Sequence, residues 1–208
     1  MKCSLCNSPT VIFLKSNFKE YFQCENCEAI LLNSNNYPSP SEEALRYKEH
    51  NNDVNDIRYQ KFVSPIVNAV QQDFDSTKSG LDFGCGTGPV ITKLLRDKSY
   101  PITTYDPFFE NKPEVLKTNY DFIVCCEVIE HFHNPLKEFK LLKSLLKPNG
   151  KLYCMTDLFS KNIDFEKWYY KDDNTHVIFY HQNTFNWIKE NIPFSKVMVN
   201  NRLITLEV

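Results

Sequence analysis

The sequence predicts an α/β protein: a doubly wound, mostly parallel sheet with an antiparallel last strand, preceded by a small ribbon built on cysteines. Three observations predict it. Four cysteines near the N-terminus are spaced as two C-x2-C pairs, strand-like and helix-like runs alternate from residue 80, and the chain closes on two strand-like runs separated by "NN". At 208 residues, with 42% hydrophobic and 14% aromatic content, the chain can fill one core and support a small appendage. These signals divide it into a ribbon at 1–36, a linker with N-terminal helices at 37–78 and an α/β domain at 79–208.

In the first segment, Cys3, Cys6, Cys24 and Cys27 form two C-x2-C pairs with seventeen residues between them. Each pair suits a tight knuckle that aims two thiolates at one tetrahedral ion, and the gap suits a short hairpin. Structural zinc is the expected occupant, iron in a rubredoxin-like site the minor alternative, and two disulfides or a metal-free ribbon the bland one. The strand-like pieces are "TVIFLK", "EYFQC" and "AILLN". So small a ribbon has too little core to fold alone, so the metal is expected to hold it together. Cys85, Cys125, Cys126 and Cys154 fall in or beside predicted strands and read as small buried hydrophobes.

"NSNNYPSPSEE" reads as a linker leading to a helix near residue 42. Tyr59, Phe62, Val63, Ile66, Val67, Val70 and Phe74 then recur at three- and four-residue spacing, one stripe of an amphipathic helix, with Pro65 a start or a kink. "GLDFG", "PVITKLLRDK" and "PITTYDP" follow as strand, helix and strand, with Pro89 opening the helix. Next come the strand "DFIVCCEV", the helix "PLKEFKLLKSLLK" and the strand "KLYCMTDLF". Such alternation argues for a parallel sheet covered by helices on both faces. "TFNWIKENI" reads as a last helix, and "FSKVMV-NN-RLITLEV" as an antiparallel hairpin.

The glycine-rich turn "LDFGCGTGP" follows the first strand of that domain. Gly84 and Gly86 let the backbone turn sharply and approach a ligand, and Gly88 leads into the helix. Asp106, twenty-two residues after Gly84, ends the next strand, where a carboxylate can accept ribose hydroxyls. A dinucleotide fingerprint would need glycine at position 89, which is proline, and the G-K-[ST] of a P-loop is absent. S-adenosylmethionine, which has no phosphate to cradle, therefore fits better than NAD or ATP, and Asp82 can orient the loop or the ligand's amino end.

With "LDFGCGTG", "YDP" and "EVIEHFHNP", the sequence resembles the class I S-adenosylmethionine-dependent methyltransferases, closest to a bacterial group that joins an N-terminal cysteine ribbon to that domain. The resemblance implies a Rossmann-like seven-stranded sheet with the last strand antiparallel. Residues 108–119 are too few for the usual helix and full third strand, so the third-strand region should be shortened, with at most a short strand near Val115 and Leu116. The stretch E-x-x-E-H at Glu127, Glu130 and His131, with His176 nine residues before Phe185, resembles Hen-type and ubiquinone-pathway O-methyltransferases. In the Hen-type enzymes such residues bind a metal ion that activates the acceptor oxygen. The same four residues are thus candidates for a second divalent site here, with Glu127 also a candidate cofactor contact. Without a metal, His176 or His131 is the candidate general base. The blander reading has Glu127 capping backbone amides, Glu130 solvated and His131 packed beneath the cofactor.

Trp168, Tyr169 and Tyr170 are candidates for an acceptor lid or plain core, and Tyr47, His50 and Arg58 for an N-terminal cover over the cofactor. Together these features predict a methyltransferase acting on a small-molecule acceptor through oxygen, carbon or nitrogen. The alternative is a non-catalytic module that senses the cofactor or scaffolds partners through its ribbon. A net charge of −2, with basic and acidic residues interspersed, disfavours nucleic acid as a partner. "MKCSLCNSPT" lacks the apolar region of a signal peptide and no run is long enough for a membrane span, so the expected location is the cytoplasm.

Overall fold

The computed structural model describes residues 1–16, 18–49 and 53–208. The elements follow in chain order as β1 (Thr10–Lys15), β2 (Glu20–Cys24), β3 (Ile30–Leu32), α1 (Pro40–Glu49), α2 (Ile57–Asp73), β4 (Gly80–Phe83), α3 (Val90–Arg96) and β5 (Ile102–Tyr105). Then come β6 (Tyr120–Cys126), α4 (Pro135–Ser144), β7 (Leu146–Met155), β8 (Ile178–Phe179), α5 (Gln182–Asn191), β9 (Lys196–Asn200) and β10 (Leu203–Glu207).

The main sheet has the order β5-β4-β6-β7-β10-β9. β4 pairs in parallel with β5 and β6, β6 pairs in parallel with β7, and β10 runs antiparallel to both neighbours. The chain thus crosses over at β4, where strand order reverses and a crevice opens at the carboxyl ends. β4 and β6 are almost entirely buried, because α2 and α3 cover one face and α4 and α5 the other.

Six strands form this sheet, not the seven implied by family resemblance. The shortened region contains no short strand at Val115 and Leu116; Pro113–Lys117 is a 3₁₀ turn. Tyr120 Oη donates to the Val115 carbonyl at 2.9 Å, pinning that turn against the start of β6. With so few residues available, the chain can cross the sheet edge but cannot add a full crossover to it.

Pro65 lies inside α2 rather than at its start. A proline there cannot donate to the carbonyl of Lys61, four residues earlier. Ser64 supplies the missing donor, its Oγ bonding Lys61 O at 2.8 Å. The stripe of Val63, Ile66, Val67 and Val70 is fully or nearly fully buried against α3 and the sheet, as its spacing requires.

The ribbon strands do not stand apart. β1, β2 and β3 pair antiparallel, and β8, which follows β7 in the chain, pairs with β3 to complete a four-stranded sheet. Aromatic rings knit the junction: Phe165 lies edge-on to Phe13, Tyr21, Phe159 and Phe179, with centroids 5.1 to 5.7 Å apart. No helix among the described residues is long and apolar enough to cross a membrane.

Because Phe165 is nearly fully buried at this junction, Phe165→Ala is expected to cost about 3–5 kcal/mol of stability, read from the urea midpoint at unchanged m-value. A loss below about 1 kcal/mol would show that the junction is not packed as described.

Candidate active site

A cleft of about 880 Å³ opens at the carboxyl ends of β4, β5 and β6, beneath α1. At one end the glycine turn leaves β4. Gly84 has φ +79°, and a Cβ there would lie 2.5 Å from Val128 Cγ2, so the position admits only glycine. Gly86 has φ +62° with open space around it, where a ligand can approach the bare backbone. Gly88 is buried and lines the cleft just before α3, whose N-cap is Pro89.

Asp106 shapes this turn from the end of β5. Its Oδ2 accepts from the Gly86 amide at 3.0 Å and its Oδ1 from the amides of Phe108 and Phe109 at 2.8 and 3.1 Å. These three bonds occupy both lone pairs of Oδ1 and one of Oδ2, so Oδ2 can still accept from a hydroxyl in the cleft. Asp82, buried within β4, accepts from Thr92 Oγ1 at 2.7 Å, and burial pushes its carboxyl up to about 6. Its bond to α3 holds strand and helix together behind the glycine turn.

At the other end of the cleft, β6 stops at Glu127, whose φ of +52° turns the chain into the 3₁₀ turn Ile129–His131. That turn drives Glu130 inward until it has no exposed surface. Tyr170 Oη donates to Glu130 Oε1 at 2.6 Å, and Thr156 Oγ1 to Oε2 at 3.1 Å. Nε2 of His131 and Nε2 of His176 each lie 4.0 Å from Glu130 Oε1. Both rings are oriented from behind: His131 Nδ1 bonds Thr175 O at 2.9 Å and His176 Nδ1 bonds Tyr170 O at 2.7 Å. A carbonyl can only accept, so each Nδ1 carries a proton and each Nε2 is left facing Glu130. Ligand atoms of Glu130, His131 and His176 all lie within 4.8 Å of one another.

Glu127 is not part of that trio. Arg202 Nη2 donates to both of its oxygens at 2.7 Å, and Tyr170 Oη approaches at 3.2 Å. The Arg202 guanidinium is sandwiched between the rings of Phe62 and Tyr170, at 5.4 and 5.5 Å. Burial pushes the carboxyls of Glu127 and Glu130 each up to about 7, with Glu130's charge raising Glu127 further. Arg202 works against that rise at Glu127 through its hydrogen bonds and its charge. Burial also lowers the pKa of His131, keeping that ring neutral.

Of the three aromatics, Trp168 and Tyr170 are buried and Tyr169 is 63% exposed at the cleft rim. From the expected N-terminal cover, Tyr47 stands edge-on to both His131 and Phe108. Arg58 instead points to solvent beside Asp56, and His50 lies outside the described residues. Sequence reading passed over Arg202, the ion pair of Arg46 Nη2 with Asp173 at 2.8 Å and the contact of Glu43 with His133 at 3.0 Å. Each meets its partner only across the fold.

The ribbon cysteines form a second cluster. Cys3 and Cys27 Sγ are 3.6 Å apart, Cys6 and Cys24 Sγ 3.2 Å, and all four lie within 4.8 Å of one another as free thiols. Four sulfurs around one zinc at about 2.3 Å sit roughly 3.8 Å apart, so the donor set fits. Asn7 and Glu28, each directly after the second cysteine of its pair, have φ near +60°, which closes the two knuckles alike. The Cys27 contact holds the Cys3 thiol down at about 5, favouring a thiolate. Burial instead pushes Cys85 up to about 12 and raises Cys125 and Cys126 well above the free thiol, which leaves them inert.

Residues 56–198, more than half of the chain, match the family described as Methyltransferase domain. A ubiquinone biosynthesis O-methyltransferase from Actinobacillus pleuropneumoniae serotype 5b is 37% identical over 85 residues, 39% of this chain and 36% of that protein. A tRNA U34 carboxymethyltransferase from Campylobacter curvus is 29% identical over 124 residues, 49% of this chain and 41% of that protein. The matches thus span well under half of these curated relatives. Among solved structures, the Burkholderia thailandensis 1,6-didemethyltoxoflavin-N1-methyltransferase, with its substrate and S-adenosylhomocysteine bound, superposes with TM-score 0.55 at 11% identity, covering 94% of this chain and 98% of that one. A methyltransferase from Archaeoglobus fulgidus gives TM-score 0.53 at 19% identity over 67% of this chain and 71% of that one. At such identities these two show a shared fold, and the family match carries the assignment: the chain belongs to the methyltransferase-domain family.

Proposed function

We propose that the protein transfers the methyl group of S-adenosylmethionine to a small-molecule acceptor bound above Glu130, His131 and His176. One observation carries this reading: a single cleft is lined by the glycine turn and Asp106 at one end and by His131 and His176 at the other, with Glu130 buried behind the two imidazoles. The cofactor supplies the reactive sulfonium, so the protein's work is alignment and, for a hydroxyl or amine acceptor, proton removal.

In this reading Gly84, Gly86 and Gly88 let the backbone approach the cofactor, Asp106 accepts a ribose hydroxyl on Oδ2 and Asp82 braces the turn. Glu127, fixed by Arg202, borders the cofactor from the β6 side. His176 and His131, each with Nδ1 bonded to a backbone carbonyl and Nε2 facing the cluster, are the groups able to take a proton. Glu130 with the two imidazoles fits a divalent ion: one carboxylate and two nitrogens favour manganese, iron or zinc over magnesium. Bound there, such an ion would act as a Lewis acid toward an acceptor oxygen. Glu127 enters that set only by leaving Arg202.

Asp106→Ala is expected to weaken S-adenosylhomocysteine binding at least tenfold by titration calorimetry, about 1.4 kcal/mol. His176→Ala should leave that affinity within about threefold while lowering labelled-methyl transfer to a panel of phenols and amines by a hundredfold or more. Failure of both S-adenosylmethionine and S-adenosylhomocysteine to bind the native protein would refute the proposal.

The paired carboxyls set opposite pH trends. An ion requires Glu130 ionised, so manganese affinity should rise as pH climbs from 6 toward its raised pKa of about 7, then level off. Metal-free stability should fall over roughly pH 4.5 to 7, because the folded protein keeps protons that the unfolded chain has released. Glu130→Gln should reduce that fall; an unchanged slope in urea melts would refute the buried titration.

A further inference from the structure

We infer that the cysteine ribbon is the positioning element of the transfer site: strand β3 holds the segment that carries His176 and orients His131. The inference rests on the reading of that cluster as part of the transfer site, and goes beyond it by giving the ribbon a task there.

The segment around His176 has little structure of its own. Residues Tyr169–Asp172 form a 3₁₀ turn and β8 is two residues long. β8 takes no place in the main sheet; its ladder partner is β3, with Ile30 opposite Phe179 and Leu31 opposite Ile178. Between ladder and cluster stands Val177. Its carbonyl accepts from the Leu32 amide at 2.9 Å, and its own amide donates to the Glu130 carbonyl at 2.9 Å. One residue thus bonds the ribbon on one side and the cluster turn on the other. Thr175, two residues earlier, supplies the carbonyl that orients His131.

The ribbon grips the same segment further out. Lys19 Nζ donates to Asn174 Oδ1 at 2.8 Å, and Glu28 accepts from Asn183 Nδ2 at 2.6 Å. β3 in turn hangs from the second knuckle: two residues separate it from Cys27, and the Cys24 amide donates to the Ala29 carbonyl at 2.9 Å. A ribbon of this size depends on its ion for order. Loss of the ion therefore frees β3, and with it Val177 and His176. The glycine turn and Asp106, held by the main sheet, stay in place.

The test uses the full chain with Cys6→Ser, which removes one ligand from the half-buried knuckle, and Cys6→His, which restores a Cys3His set suited to zinc. Substitution is preferred to chelation because a chelator would also strip an ion from the Glu130 cluster. In Cys6→Ser, amide exchange at Val177 and Leu32 should accelerate at least tenfold, S-adenosylhomocysteine affinity should stay within about threefold, and kcat should fall at least tenfold with KM for S-adenosylmethionine little changed. Cys6→His should recover all three. Unchanged exchange at Val177 in Cys6→Ser overturns the inference whatever the activity. Parallel loss of cofactor binding also overturns it, because the ribbon would then support the whole fold rather than this segment. Accelerated exchange with undiminished kcat supports the coupling and refutes the role of the cluster in transfer.

Discussion

A carboxylate with no exposed surface must be met by donors, and much of this molecule is arranged around the one on Glu130. Leaving such a group unpaired would cost several kcal/mol. Tyr170 and Thr156 provide the direct bonds, and the imidazoles of His131 and His176 border the same oxygen. To deliver Tyr170 and His176, the chain after β7 has to cross over the end of β6. That crossing closes one side of the cleft and carries β8 to the ribbon.

Arg202 balances the charge of this region. Two acids a turn apart in a buried pocket repel, and the arginine takes Glu127 out of that conflict by a two-oxygen contact between two aromatic rings. Its backbone also matters: the Arg202 carbonyl accepts from the Thr156 amide at 3.2 Å, so the β9–β10 turn holds the residue that bonds Glu130. The antiparallel end of the sheet, remote in sequence from the glycine turn, is in this way part of the site's support.

The ribbon solves a different problem. Alone it could bury little, but Phe13 and Tyr21 enter a shared aromatic core with Phe159, Phe165 and Phe179. The exchange is mutual, since β8 would otherwise have no ladder. Small size on one side and irregular backbone on the other are both relieved by the same junction.

What the sequence determined alone is what depends on neighbours a few residues away. The knuckle cysteines, the glycine turn after β4, the stripe on α2, the terminal hairpin and the shortage of residues for a third strand were all legible, because backbone dihedrals and side-chain periodicity act over that range. Tertiary structure decided what depends on separate segments meeting. It turned Glu130 inward, brought His176 beside His131, gave Glu127 to Arg202 across 75 residues of chain, sent Arg58 to solvent and spliced β8 onto the ribbon. Spacing could nominate His176 by resemblance, but only packing around a buried charge could set which of its neighbours each acid would face.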